Sequence, residues 1–285
     1  MITTPHQPDD LSVGTQAAPP SAPRDPGKIR WLRRRRALSG FWHVYRQSRM
    51  GMVGLILLVA FILLALAAPL LVGHEDLGVS SPPGLPLKPP SAEFPLGTEY
   101  FGRSVLDLVI YGSRISLLVG FAATVMTMTV GAAVGIIGGY YGGKTDTLMN
   151  ALTNWFLVIP WIPLAIVLAS ILGRSLFNTI LVIGVTSWAG TARLVRADTL
   201  SVKERPYVER ARALGASNWH LVTRHILPNV MPVIFANTVL TVALSILAET
   251  TLSLLGLGDP SSTSWGGIIF DAFDAGALTA ADSST

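Results

Sequence analysis

Long apolar runs separated by short polar segments dominate the pattern along the chain. They cover residues 50–73, 115–143, 147–173, 175–192 and about 231–255. A helix of about 20 apolar residues crosses a bilayer, so each run predicts a transmembrane span, the fourth being the shortest. Pro160 and Pro163 predict a kink in the third run, because proline interrupts helical hydrogen bonds. The pattern therefore predicts an all-α integral membrane protein, a helical bundle of five spans.

Composition agrees with a membrane protein and narrows its chemistry. Half of the 285 residues are hydrophobic and 13% are charged, compared with about 25% charged in soluble domains. The sequence contains no cysteine, which excludes disulfides, thiolate metal sites and cysteine nucleophiles. No histidine-rich, paired-carboxylate or nucleophile–base pattern stands out. We therefore predict no catalytic residue, no cofactor-binding residue, no metal ligand and no enzyme activity in this chain.

The positions of Lys and Arg predict the orientation of the bundle, because cytoplasmic loops carry an excess of both. With the N-terminus inside, all but four of the 21 lie in the N-terminal tail, the 144–146 turn and the 193–224 segment. The four in outer segments are Lys88, Arg103, Arg114 and Arg174. We predict a multi-pass protein of the cell membrane with a cytoplasmic N-terminus.

The segments outside the apolar runs complete the predicted organisation. Residues 1–27 are proline-rich and poor in bulky apolar side chains, which predicts a disordered cytoplasmic tail. Residues 28–49 combine arginines with aromatic residues at helical spacing, which predicts a basic amphipathic helix on the lipid surface rather than a nucleic-acid patch. We further predict an extracytoplasmic loop at 74–114, a transmembrane core at 115–257 and an extracytoplasmic C-terminal segment at 258–285.

The stretch GGYYGGKT at residues 138–145 has the form G-x-x-x-x-G-K-[ST], the signature of a phosphate-binding loop. That motif needs a strand leading into the loop and a helix leading out. Here the uncharged run from Arg114 to Lys144 is far longer than one strand and is typical of a spanning helix. We interpret the stretch as a glycine-rich turn at the membrane surface, with Lys144 beside the lipid headgroups.

The long polar segment at 198–228 carries the most informative pattern. Loops of more than about 15 residues usually have their own structure or a function. Its first part is compatible with a helix that Pro206 bends or restarts and that Gly215 ends as a C-cap. Ser217 or Asn218 would cap a second short helix. The segment predicts a basic helix–turn–helix at the cytoplasmic membrane surface; the alternative is a solvated loop that only satisfies the charge rule.

A stretch within this segment, YVERARALGASNWHLVTRHILPN, resembles the EAA motif of ABC importer permeases. The start of the motif matches Glu209 and Ala211, its glycine matches Gly215, and its end matches Leu227 and Pro228. The resemblance implies that the stretch docks an ATPase subunit. The implied ATPase-coupling residues are Tyr207, Glu209, Arg210, Ala211, Leu214, Gly215, His225, Leu227 and Pro228.

Further stretches resemble the dipeptide/oligopeptide and nickel permease family, in its C-type membrane subunit. PLGTEYFGRSVLDLVIYGSRISLLVG is similar to the segment before that family's second span, and GGYYGGKTDTLMN to its second cytoplasmic turn. SWAGTARLVRADTLSVKERPYV, ILAETTLSLLGLG and SWGG follow in the family's order, so the resemblance covers roughly residues 48–270. It implies a permease subunit of an ATP-driven importer of peptides.

The resemblance also implies the partners. A second, B-type permease subunit would complete the pathway, two cytoplasmic ATP-binding subunits would bind ATP and Mg, and an extracytoplasmic binding protein would deliver peptide. Membrane lipids surround such a chain, and no nucleic acid is expected. ATPase closure would rock the EAA helices and alternate access between the two faces. Dipeptide, longer peptide and nickel all stay open as cargo.

Two features depart from the family pattern. Arg210 stands at the second position of the EAA motif, where alanine is usual. The family usually has six spans and a cytoplasmic C-terminus, whereas SWGGIIFDAF is followed only by DAGALTAADSST, with no sixth apolar run. The sequence therefore predicts five spans, from a chain truncated or altered at its end or from a form for which five suffice.

Charged residues at the outer side are candidate gate or outer-face contacts. Glu249 lies about 27 Å along a helix from Met231, at about 1.5 Å per residue, which predicts a position near the outer surface. It would serve as a gate or substrate contact, or alternatively in packing. Arg103 and Asp107 precede the second span and would contact the binding protein or form a solvated, mutually paired face.

Two other functions compete with the importer hypothesis. An ion-gradient-driven secondary transporter or channel would favour acidic groups deep in the spans, for which Glu249 is the candidate. A membrane-embedded nucleotide hydrolase would use GGYYGGKT, which the apolar context disfavours.

Overall fold

Helices provide the regular structure of the computed structural model, which describes residues 46–73, 78 and 82–276. They run in the order α1 Arg49–Leu71, α2 Val105–Tyr141, α3 Gly143–Val158, α4 Trp161–Leu172, α5 Leu176–Lys203, α6 Pro206–Ala213, α7 Asn218–Leu221, α8 Leu227–Leu254 and α9 Trp265–Asp274. The boundary between the chain's two compact units falls within α1, after Leu58. The predicted tail at 1–27 and all but the end of the predicted amphipathic helix at 28–49 lie outside the described residues.

The prediction of a helical membrane bundle is confirmed. Among the described residues, four helical stretches are long and apolar enough to cross a membrane: Arg49–Leu71, Val105–Tyr141, Leu176–Lys203 and the continuous stretch Asn218–Leu254. Helices α3 and α4 bend by 89° at the break between Val158 and Trp161, and together make a fifth candidate. Pro160 explains the break, because proline lacks an N–H and its ring clashes with the preceding turn. The expected kink is therefore so sharp that the pair is either a broken span or a re-entrant loop.

Three element boundaries differ from the prediction. Helix α2 begins at Val105, so the end of the predicted loop 74–114 is helical, and Ser104 caps it through its side chain. Helix α5 continues well past its predicted span to Lys203. The short helix capped by Ser217 continues through a π-helical turn into α8. All three helices extend beyond the apolar runs that predicted them, because a helix outside the hydrocarbon region needs no apolar side chains.

Close approach of the α2 and α5 backbones forms the centre of the bundle. Gly131, Gly135 and Gly139 recur every four residues and therefore share one face of α2. A Cβ added to Gly135 would lie 2.6 Å from the carbonyl oxygen of Ala192. One added to Gly131 would lie 2.8 Å from the carbonyl oxygen of Trp188. Small residues at this spacing let membrane helices pack backbone to backbone.

We predict that Gly135→Ala destabilises the bundle, because the added methyl group collides with the α5 backbone at Ala192 and Arg196. Overpacking of this kind costs about 1–3 kcal/mol. The midpoint of thermal unfolding in detergent should fall by several degrees. Gly54→Ala is the control, since nothing lies within 4 Å of its added methyl group. Equal midpoints for the two variants would contradict the packing role of Gly135.

Candidate functional site

Helices α6 and α7 form a hairpin whose turn is fixed by local hydrogen bonds. Pro206 occupies the first turn of α6, where its missing N–H is not needed. At the other end of α6, Gly215 has a φ of 85°. Its N–H donates to the carbonyl oxygen of Arg212, and the Ala216 N–H donates to that of Ala211. This pair of bonds is a Schellman motif, so the C-cap role predicted for Gly215 is confirmed.

The second arm of the hairpin continues without a break into the last long helix. Ser217 caps α7, its side chain accepting a backbone N–H at 3.3 Å. Between Val222 and Ile226 the helix takes one π turn, in which the Leu227 N–H donates to the Val222 carbonyl oxygen five residues back. Pro228 explains the wider turn, because its ring would crowd the carbonyl group four residues before it. The hairpin arm and α8 therefore form one continuous lever.

The hairpin exposes large apolar side chains beside charged ones. Leu214 is 88% exposed, Trp219 is 77% exposed, and the Tyr207 ring is also exposed. Glu209 and Arg210 are exposed on the same short helix, α6. Exposed apolar groups rimmed by polar residues mark protein interaction sites. Trp219 was missed from the predicted set, although a tryptophan inside a basic polar segment was the available signal.

The remaining predicted coupling residues lie at the base of the hairpin. Ala211 is half-buried and packs against the hydrophobic cluster beneath α6. The ring of His225 has its centroid 6.1 Å from that of Tyr207. Leu227 is half-buried and Pro228 is exposed, both at the start of α8. The structure thus brings the predicted set together on one hairpin and its base.

Two contacts that sequence reasoning missed attach this region to the bundle. The Tyr140 hydroxyl, at the end of α2, donates to the Asn218 side-chain oxygen at 2.7 Å. Arg196 of α5 donates two hydrogen bonds to the Asp146 carboxylate of α3, the Nη2–Oδ2 distance being 2.6 Å. Bidentate arginine–carboxylate pairs fix geometry as well as adding energy. The first contact holds the second arm of the hairpin to α2, and the second holds α5, the helix that precedes the first arm.

The stretch GGYYGGKT does not form a phosphate-binding loop. Its first half ends helix α2, Gly142 turns the chain with a φ of 68°, and α3 begins at the next residue. The segment before it is helical where a phosphate-binding loop needs a strand, and Lys144 is exposed. The interpretation as a turn is confirmed. Within the described ranges, no group of three His, Asp or Glu residues could hold a metal ion.

At the opposite end of α2, the predicted outer residues are Arg103 and Asp107, of which Arg103 forms ion pairs. Arg103 is buried and forms ion pairs with Glu99 and, at 3.5 Å, with Asp271 of α9. Burial raises the pKa of Asp271 above its ordinary value, although Arg103 opposes this shift. Asp107 lies in the first turn of α2, where a carboxylate interacts favourably with the helix dipole. The ion pairs of Arg103 favour a paired face over a free docking surface, although Arg103 and Asp107 do not pair with each other.

Glu249 is only 3% exposed and lies inside the bundle. The hydroxyl of Ser116 on α2 donates to its carboxylate at 3.2 Å, and that of Ser253 on α8 does so at 2.7 Å. The Ser116 oxygen also accepts the N–H of Trp265, the first residue of α9. Glu249 therefore joins three helices, which favours the packing interpretation; a gating role stays a prediction.

Comparison with known proteins defines the family. Residues 131–281 match the binding-protein-dependent transport system inner membrane component family. Residues 37–90 match the N-terminal transmembrane domain of oligopeptide transport permease C. The chain therefore belongs to the binding-protein-dependent transport permeases and is a multi-pass membrane protein, as its EAA-like stretch and spans predicted.

Individual relatives agree with this family. The dipeptide transport system permease protein DppC of Alkalihalophilus pseudofirmus is 36% identical over 228 residues, which cover 80% of this chain and 74% of the relative. The oligopeptide transport system permease protein OppC of Bacillus subtilis is 35% identical over 232 residues, covering 81% and 75%. The DppC protein of Haemophilus influenzae is 35% identical over 226 residues, covering 78% and 76%. The resemblance to C-type permease subunits of ABC importers is confirmed.

We predict that Asp146→Asn weakens the attachment between α3 and α5. It removes the charge that satisfies the half-buried Arg196, and loss of such a partner costs about 1–3 kcal/mol. Thermal unfolding in detergent should shift to lower temperature by several degrees. The control is Lys144→Ala, two residues away and exposed. The exchange Asp146→Arg with Arg196→Asp should restore part of the loss; no loss in the single variant would contradict the attachment.

Proposed function

We propose that this chain is the C-type membrane subunit of an ATP-driven importer of di- or oligopeptides, and that it forms half of the translocation pathway. One observation carries the proposal: the α6–α7 hairpin exposes apolar side chains and continues directly into a helix long enough to span a membrane. The names of its relatives support peptides as the substrate class.

The hairpin has the chemistry of a protein docking site. Leu214 and Trp219 supply exposed apolar anchors on either side of the Gly215 turn. Interfaces concentrate binding energy in such anchors and surround them with polar contacts. Glu209 and Arg210 supply the polar rim, so Arg210 at the position where alanine is usual faces outward and is available to pair with the ATPase.

The same hairpin is built to pass movement into the membrane. Its first arm follows α5 after a break of two residues, and its second arm is continuous with α8. Val208 and Leu221 are fully buried, so both arms are tied to the bundle by packing. A displacement of the hairpin by a closing ATPase pair would therefore move α5 and α8 as rigid bodies, the kind of step that alternates access.

The proposal fixes location and partners. The chain lies in the cell membrane among lipids, with its N-terminus and the hairpin on the cytoplasmic side, as the Lys and Arg distribution supports. A B-type permease subunit, two ATP-binding subunits and an extracytoplasmic peptide-binding protein complete the transporter. ATP and Mg bind the ATPase subunits, and this chain itself performs no catalysis and holds no cofactor.

The alternative, an ion-gradient-driven transporter or channel, rests on Glu249. Within the described part of the chain, its carboxylate accepts hydrogen bonds from two neighbouring serine hydroxyls, one on α2 and one on α8. A carboxylate in this arrangement packs helices together, whereas an ion-coupling group would face a pathway. Family membership and the position of Glu249 both favour the ATP-driven importer.

We predict that Leu214→Asp and Trp219→Asp release the ATPase subunits from a complex purified in mild detergent from native membranes. Loss of a central apolar anchor costs about 2 kcal/mol or more, which weakens binding about 30-fold. Both side chains are so exposed that the fold of the chain should be unaffected. The measurement is the amount of ATP-binding subunit that copurifies with the tagged chain.

Lys144→Ala in GGYYGGKT is the matched control, because it is an exposed change in the neighbouring turn. It should retain the ATPase subunits in full. Retention with Leu214→Asp and Trp219→Asp as well would show that the hairpin is not the dock. Absence of any ATP-binding subunit from the unaltered chain would contradict the importer itself.

A further inference from the structure

A cavity of about 610 Å³ lies between the α3–α4 bend, α5 and α8. Trp161 and its neighbours at the bend form one wall, Ser187 and Gly190 of α5 form a second, and Asn237 and Thr241 of α8 form a third. Sites for small molecules usually have volumes of about 300–1,000 Å³ and combine apolar walls with a few polar groups. The cavity therefore has both the size and the lining of a binding site.

Two polar groups in this lining have unused hydrogen-bonding capacity. The Asn237 amide nitrogen donates to the Thr191 hydroxyl at 3.0 Å, which fixes the side chain. Among the described residues, nothing donates to the side-chain oxygen of Asn237. The hydroxyl of Ser187 likewise makes no hydrogen bond within the described part of the chain. The cavity thus offers an oriented acceptor and a free hydroxyl.

The depth of Asn237 and Ser187 in the membrane makes their unused hydrogen-bonding groups unusual. Asn237 lies about 9 Å along α8 from Met231, where the last apolar run begins, and so within the hydrocarbon thickness of about 30 Å. At that depth an unsatisfied polar group is costly unless it faces protein or a water-filled space. Lipid chains could not satisfy Asn237 and Ser187, so the cavity is expected to face a polar occupant.

We propose that this cavity binds the main chain of the peptide during its passage and that its free volume limits the side chains that pass. The inference rests on the proposed function. An extended peptide carries a free N–H and a free carbonyl group at almost every residue. Its N–H can donate to the Asn237 side-chain oxygen, and its carbonyl oxygen can accept from the Ser187 hydroxyl. A helix of a partner subunit is the less suitable occupant, because its main-chain groups are already bonded to one another.

Gly190 is a position at which a substitution can narrow the cavity. It lines the cavity wall, and nothing lies within 4 Å of a Cβ added to it. A larger side chain there extends into free space without disturbing the contact between α2 and α5. The structure therefore offers a variant that narrows the cavity and leaves the fold intact.

The first experiment compares Gly190→Leu with the unaltered chain in the complete transporter, reconstituted in proteoliposomes with its binding protein. Uptake of dialanine, trialanine and triphenylalanine is measured with ATP enclosed in the lumen, on the side of the ATPase subunits. The peptides and the binding protein are added outside. We expect triphenylalanine uptake to fall by about tenfold, while uptake of the alanine peptides changes less than about twofold. Gly54→Leu on α1, where the added side chain also meets nothing within 4 Å, should leave all three rates unchanged.

The outcomes separate the cavity from the proposed function. If the unaltered transporter takes up none of the peptides, the proposed function fails and the inference with it. If it transports peptides and Gly190→Leu has no selective effect, lipid or nothing fills the cavity and only this inference fails. If Gly190→Leu loses the second permease subunit on purification, the cavity is a subunit contact, which also overturns the inference.

A second variant tests the polar group alone. Ser187→Ala removes a hydroxyl that bonds to nothing else among the described residues. Loss of one hydrogen bond to substrate should raise the KM for trialanine by about 2–10-fold with little change in kcat. Thr238→Val on α8 is the control, because the Thr238 hydroxyl bonds to the Ile234 carbonyl oxygen and lies outside the cavity lining. An unchanged KM for Ser187→Ala would count against main-chain recognition.

Discussion

Backbone contact between α2 and α5 is the constraint on which the rest of the bundle depends. Lipid is as apolar as the helices themselves, so no hydrophobic force drives them together, and close packing has to do so. Gly131, Gly135 and Gly139 remove the side chains that would keep the two backbones apart. This contact fixes the position of α5, which in turn brings Arg196 within reach of Asp146 and places the start of the α6–α7 hairpin.

The α6–α7 hairpin is held in place by the same packing of long helices against α2. Its first arm follows α5, its second arm is continuous with α8, and both long helices pack against α2. The π turn at Val222–Ile226 is the one irregular step in the second arm, and π turns often occur at functional positions. A displacement near Gly215 would therefore reach the membrane helices by two connections, a link of two residues to α5 and the continuous helix of α7 and α8, which contains the π turn.

The sequence predicted what local chemistry determines and missed what distant contacts determine. The C-cap at Gly215 and the bend at Pro160 follow from backbone properties of single residues, and both are confirmed. The pair of Asp146 and Arg196 could not be predicted, because the two residues are 50 positions apart and meet only once α3 and α5 are packed. The spacing of four residues between the glycines from Gly131 onward is visible in the sequence and is typical of helix contacts in membranes, but a hydropathy pattern does not reveal it.

Polar groups within the bundle fall into two kinds, those whose hydrogen bonds are satisfied within the chain and those that line the cavity with hydrogen-bonding capacity unused. Glu249 is a charged residue by type, yet Ser116 and Ser253 satisfy its carboxylate and it lies buried among three helices. Ser187 and Asn237 are uncharged, unlike Glu249, yet each keeps hydrogen-bonding capacity that no other described residue uses. Lipid cannot satisfy a polar group at membrane depth, so the open groups of the cavity lining favour a polar occupant there, whereas serine hydroxyls already satisfy the Glu249 carboxylate. This contrast supports the proposed passage of peptide along the cavity between α5 and α8, which Glu249, the only acidic residue of α8, does not line.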